Sequence, residues 1–169
     1  MFRHIHWPVF LKHGLIAAMV YCIPVFVFIR HASFGDAWIL YLGNFLFLIV
    51  VVVFLIRFND KRKDNASSVS MFAAGHLVTV TGVVISCLIC SILLILLIPG
   101  LLHPGQTEKI LRGTPANSIH DKTNGLAFMV FANAVIGNIS TGSFASIVFP
   151  FSLKGDQTTE RVPPKQAEL

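Results

Sequence analysis

The sequence predicts an all-α membrane protein, a polytopic four-helix bundle with both termini in the cytoplasm. Three observations predict it. Four apolar stretches fill most of the 169 residues, and no Asp or Glu lies inside any of them. Hydrophobic residues make up 54% of the chain and charged ones 12%, with a mean hydropathy of +0.74, outside the range of ordinary soluble domains. Each stretch is long enough at 1.5 Å per residue to cross a hydrocarbon core roughly 30 Å thick, which takes about 20 residues. Helices are the expected form, because every backbone N–H and C=O in hydrocarbon must find its partner within its own segment.

The first span covers about residues 10–29, with Arg30 closing it. Its basic N-terminal flank imitates a signal peptide. The downstream IRHASFGD is a poor small-residue cleavage site and Pro24 interrupts the apolar run, so a retained signal-anchor helix is expected. The second span, about 37–56, carries no charge, and Asp36 is placed to cap it. The third, about 71–98, is longer than a bilayer requires and should tilt or protrude before Pro99-Gly100 ends it. The fourth, about 126–151, is the most polar, with Asn133, Asn138, Ser140, Thr141 and Ser143. Residues 1–153 thus form the transmembrane domain and 154–169 a disordered cytoplasmic tail, too poor in apolar residues to fold.

Orientation follows from Lys and Arg. Nine lie in the N-terminal arm, the 57–70 loop and the tail, against four (Arg30, Lys109, Arg112 and Lys122) on the other side. The positive-inside rule therefore puts both termini and the central loop in the cytoplasm. The RFNDKRKD cluster enforces topology and touches anionic lipid heads; with Asp60 and Asp64 counted it is too weakly basic for nucleic acid. In the second outer loop, TEKILRG is expected to form an interfacial helical turn or two between Pro104 and Pro115. Trp7, Trp38 and Tyr41 fall near span ends, where amphipathic rings prefer the headgroup zone.

Lipid tails are as apolar as Leu, so the spans must associate through close packing and interhelical hydrogen bonds. Small and polar residues mark the candidate face. Span four has two adjacent rows at i, i+4 spacing: Ala134, Asn138, Gly142 and Ser146, and beside them Asn133, Gly137, Thr141 and Ala145. Span three has Gly75, Thr79, Gly82, Ser86 and Cys90 on one stripe, and span two contributes Gly43 and Asn44. Spans three and four are expected to pack through these faces. The alternative is that the Asn and Thr groups line a solute path.

Candidate chemistry is sparse. Cys87 and Cys90 form C-x-x-C, but mid-span, where a thiolate is hard to form and a soluble dithiol cannot reach; with Cys22 they read as packing residues. His76 lies well inside a span, and His13 sits at the cytoplasmic end of span one at similar depth. The pair could in principle ligate one haem iron, but four-helix b-type cytochromes require further in-span histidines. No cofactor or metal is expected. The sequence holds no HExxH, P-loop, nucleophile elbow or acidic Mg²⁺ cluster, so it does not read as an enzyme. Four-helix multidrug exporters share the helix count only, since their acidic residue in the first span has no counterpart in LIAAMVYCIPVFVFI.

LKHGLIAAMV, the tight first hairpin, the NDKRKDN loop and the closing GSFASIVFPFSLK resemble the small four-helix inner-membrane proteins of unknown function found in Bacteroidota. That resemblance implies the fold and the inner membrane and no assigned activity. The expected role is non-catalytic: an accessory, structural or regulatory component contacting lipid, another membrane protein or itself. An oligomeric pore or uncoupled small-solute carrier is the alternative, and a haem- or thiol-based redox protein the third.

Overall fold

The computed structural model describes residues 7–61, 68–98, 111–115 and 125–159. Three long helices come first: α1 Trp7–His31, α2 Trp38–Lys61 and α3 Ser68–Leu97. The fourth long helix is built in parts, with α4 Leu126–Ala132 and α5 Asn138–Thr159 joined by a five-residue π-helical segment, Asn133–Gly137. All four are long and apolar enough to cross a membrane, and no strand occurs among the described residues. The fold is the all-α four-helix bundle.

The helices outrun the apolar runs at most ends, because elongating a formed helix adds one hydrogen bond per residue fixed. Thus α3 begins at Ser68, and at 30 residues it spans about 45 Å at 1.5 Å per residue. Likewise α5 continues to Thr159, past the Lys154 where the sequence reading begins a disordered tail. Residues 160–169 lie outside the described residues, as does most of the basic loop at 62–67. Pro24 sits inside α1 without ending it, which neighbouring helices make tolerable in a spanning segment.

The α1–α2 turn is held from two sides. Ala32 adopts the left-handed conformation (φ 48°), and its N–H donates to the Phe28 carbonyl at 2.8 Å, closing α1. A short 3-10 turn, Phe34–Asp36, leads into α2. Asp36, expected as a helix cap, receives His31 Nδ1 on its Oδ2 at 3.2 Å. From the other loop, Arg112 N–H donates to Ala32 O at 2.9 Å and Phe34 N–H to Arg112 O at 2.8 Å, a single parallel bridge. Leu111 beside it is buried. Of the TEKILRG stretch, residues 107–110 lie outside the described residues; 111–113 pair with the first turn instead of forming a helical one.

In cross-section the helices form a square. α1 borders α2 and α3, α5 borders the same two, and α2 meets α3 less, across a diagonal. Gly14 lies beside Gly82 and, eight residues further along each helix, Cys22 lies beside Cys90, so α1 and α3 run parallel, whereas the Gly75–Ser146 and Thr79–Gly142 contacts make α3 and α5 antiparallel. The interior is filled by large side chains that are wholly buried, among them Tyr21, Phe28, Phe47, Phe54 and Leu55. Outward-facing residues are equally apolar (Ile23, Phe45, Leu88, Leu96, Phe151), as a surface solvated by lipid tails requires.

Candidate functional site

The α3–α5 seam is made of glycines facing hydroxyls. Thr79 donates to the Gly75 carbonyl at 2.9 Å on α3, and Ser146 donates to the Gly142 carbonyl at 2.7 Å on α5. The two motifs lie antiparallel and reciprocal. The Thr79 side chain occupies the space where Gly142 would carry a Cβ, and the Ser146 side chain the same space at Gly75. In hydrocarbon each hydroxyl needs an acceptor, and the carbonyl one turn back supplies it without a partner helix. The glycines supply room. Thr141 follows the rule, donating to Gly137 O at 3.0 Å.

Gly82 serves a different contact. A Cβ there would lie 2.8 Å from the Phe47 ring of α2, so this glycine admits an aromatic ring across the diagonal. Ser86 and Asn138 are completely buried in the interior, and neither Ser86 Oγ nor either amide atom of Asn138 has a hydrogen-bond partner.

The two rows of span four part company. The row of Gly142 and Ser146 faces α3, whereas Gly137 faces α2, where the Asn44 amide lies over it. Thr141, one turn along, shares a groove with α2. The neighbouring Asn133 accepts a hydrogen bond from the Tyr21 hydroxyl of α1 at 3.0 Å. The π segment falls between Asn133 and Asn138, the two amides five residues apart. A π turn inserts one residue into the helix, re-aiming the side chains on either side of it, and such turns recur at functional positions.

Where α2 and the π segment diverge, a groove of about 510 Å³ opens on the outer face of the bundle. Its lining is mainly apolar, with Asn44, Asn133, Ser140 and Thr141 as polar members; Tyr41 and Phe45 line it on the α2 side. Asn44 is 5% exposed and its Oδ1 has no hydrogen-bond partner. No charged side chain lines the groove. A smaller recess of about 170 Å³ adjoins it through Tyr41, Ala132 and Asn133 and reaches Ala37 at the start of α2.

The redox candidates are arranged differently from their sequence pattern. Cys90 lies beside Cys22 of α1, while Cys87 of the C-x-x-C pair is only half-buried. His13 Nδ1 donates to Val9 O at 2.7 Å and its ring lies 4.9 Å from that of Phe54. His76 Nδ1 donates to Phe72 O at 3.0 Å and its ring lies 4.2 Å from that of Phe72. Among the described residues no three His, Cys, Asp or Glu side chains form a group able to hold a metal ion.

Sequence reasoning missed Tyr21, Phe47 and the π segment. A signal existed for two of them. A phenol in the middle of a span must find a hydrogen-bond acceptor, and paired amides at i, i+5 do not share one face of a regular α-helix.

The chain is thus a four-helix bundle of membrane-spanning length with a hydroxyl–glycine seam and a lateral groove. Comparison with models of protein families, with curated proteins and with solved structures finds no match to this chain.

Proposed function

We propose that this protein is a non-catalytic component of a bacterial inner membrane that acts by holding another constituent of the bilayer against its outer face. The observation that carries this reading is the groove between α2 and the π segment, with its unpartnered, almost fully buried Asn44 Oδ1. Around Gly75–Gly82 the bundle interior is filled by the Gly75–Ser146 and Thr79–Gly142 contacts and by Phe47 on Gly82, whereas the groove opens sideways. An unpaired amide oxygen in hydrocarbon is costly and conspicuous; here it lies buried beside the groove, whose exposed polar side chains are Tyr41 and Ser140.

Both termini and the basic loop lie in the cytoplasm on the nine-to-four Lys and Arg asymmetry. The resemblance to small four-helix inner-membrane proteins agrees with this address.

Native mass spectrometry of the protein released from nanodiscs tests the proposal. A polypeptide or lipid retained in fixed ratio is expected. Flux of a small solute through reconstituted liposomes, lost on Asn138→Ala, would overturn it in favour of a pore or carrier.

A further inference from the structure

Asn138 is the most demanding side chain of the interior. It is wholly buried in span four, directly after the π segment, and neither its Oδ1 nor its Nδ2 has a hydrogen-bond partner. An amide that forgoes both a donor and an acceptor bond in hydrocarbon is among the costlier neutral groups a span can carry. Ser86 on α3 stands in the same condition, wholly buried with its Oγ unpartnered. Thr79 and Ser146, also buried, each donate to the carbonyl one turn back. Ser86 passes over that bond, although its own helix offers it.

The helix register brings the two together. On the α3–α5 seam Ser146 faces Gly75 and Gly142 faces Thr79. One more turn of the same antiparallel register sets Asn138 against residue 83, and Ser86 follows three residues on, on the same face of α3. From a third side, the Asn44 amide of α2 lies over Gly137, the residue next to Asn138, with its Oδ1 buried and unpartnered. Three helices thus bring unpartnered polar groups to one level of the bundle.

The chemistry that would satisfy them is narrow. Asn138 needs a donor for its oxygen and an acceptor for its NH₂, and the Ser86 hydroxyl can play either part. A cation would serve the oxygens and leave Nδ2 bare; an anion would do the reverse. Nor is any charged side chain buried among the described residues to balance either ion. Water donates and accepts at once, and a buried water typically makes about three hydrogen bonds to groups otherwise left unpaired.

We propose that Asn138 and Ser86 hold a water molecule inside the bundle at the level of the π segment, with Asn44 closing the site from α2. The water ties α3 to span four there, as Thr79 and Ser146 do farther along by packing on glycine. The site is interior, separate from the lateral groove, and does not depend on the outer-face reading.

Water-selective NMR tests it on the full chain in nanodiscs, with ¹⁵N-labelled asparagine and protonated Val and Leu methyls. A cross-peak is expected from water to the Asn138 side-chain NH₂, with the sign of a bound, slowly tumbling molecule. None is expected to the methyls of Val78 or Leu94, which are buried toward either end of α3. The Asn138 peak should persist in Ser86→Ala, whose smaller side chain leaves the water in place and removes the hydroxyl proton that could relay the signal.

Absence of the water cross-peak at Asn138 would overturn the proposal, and the wild-type spectrum decides this even if Ser86→Ala does not fold. A peak that vanishes in Ser86→Ala would also overturn it, since a direct Asn138–Ser86 bond gives that result. Cross-peaks running on to Val78 and Leu94 would mark a continuous water column in place of a site, and would remove the outer-face reading with it.

Discussion

Replacing Gly142 by alanine sets the helix propensity of alanine against the side chain of Thr79. The new Cβ would sit on the Thr79 hydroxyl and methyl and 2.9 Å from its Cβ, well inside the carbon–carbon optimum of about 3.5–4.0 Å. Thr79 has little room to yield. It is 1% exposed, and its hydroxyl is tied to Gly75 O at 2.9 Å. Overpacking of this kind costs about 1–3 kcal/mol, and with three atoms involved the upper half of that range applies. Alanine returns about 1 kcal/mol relative to glycine in a helix interior. The net loss should be about 1–2 kcal/mol. Unfolding in mixed micelles of mild detergent and SDS reads this as an earlier midpoint for Gly142→Ala than for wild type. Gly35→Ala is the control, since its nearest neighbour is Ser33 Oγ at 3.8 Å. Thr79→Ala removes the two closest atoms, so the double variant should recover more than half of the loss, a coupling that distant sites do not show. A Gly142→Ala midpoint equal to that of Gly35→Ala, or strict additivity with Thr79→Ala, would refute the seam as described.

Three further outcomes are expected. Tyr21→Phe should destabilise the bundle by about 1 kcal/mol by removing the donor to Asn133, and Tyr21→Phe combined with Asn133→Ala should lose less than the sum of the two singles, measured by the same titration. A membrane-permeant maleimide should label Cys87 first, because it is half-buried, and reach the buried Cys22 and Cys90 only on unfolding; mass-mapped peptides give the order. Gly35→Cys, at an exposed turn position, should react with an impermeant thiol reagent added outside intact cells; protection there would reverse the proposed orientation.

Much of the architecture was legible because the solvent imposes it. A bilayer demands about 20 apolar residues per crossing and internally paired backbones, so runs such as 37–56 announced helices despite the β-branched Val50–Val53. The small residues of spans three and four were legible too, since close approach needs Gly, Ser and Thr at i, i+4 spacing. Their partners were not. Nothing in linear order says that Ser146 lies on Gly75 and Thr79 on Gly142 while Gly137 turns away to Asn44. Cys90 pairs with Cys87 only in the linear C-x-x-C pattern; in the fold it lies beside Cys22.

Solvent, helix count and the faces that hold small or polar groups all follow from composition and helical periodicity along single segments. Only the tertiary structure decided the square order of the helices, the division of span four's two rows between α3 and α2, and the groove where the π segment leaves α2. These depend on helix rotation and on one inserted residue at Asn133–Gly137. Such shifts re-aim side chains with little change in local propensity and become fixed only when neighbouring helices pack against them.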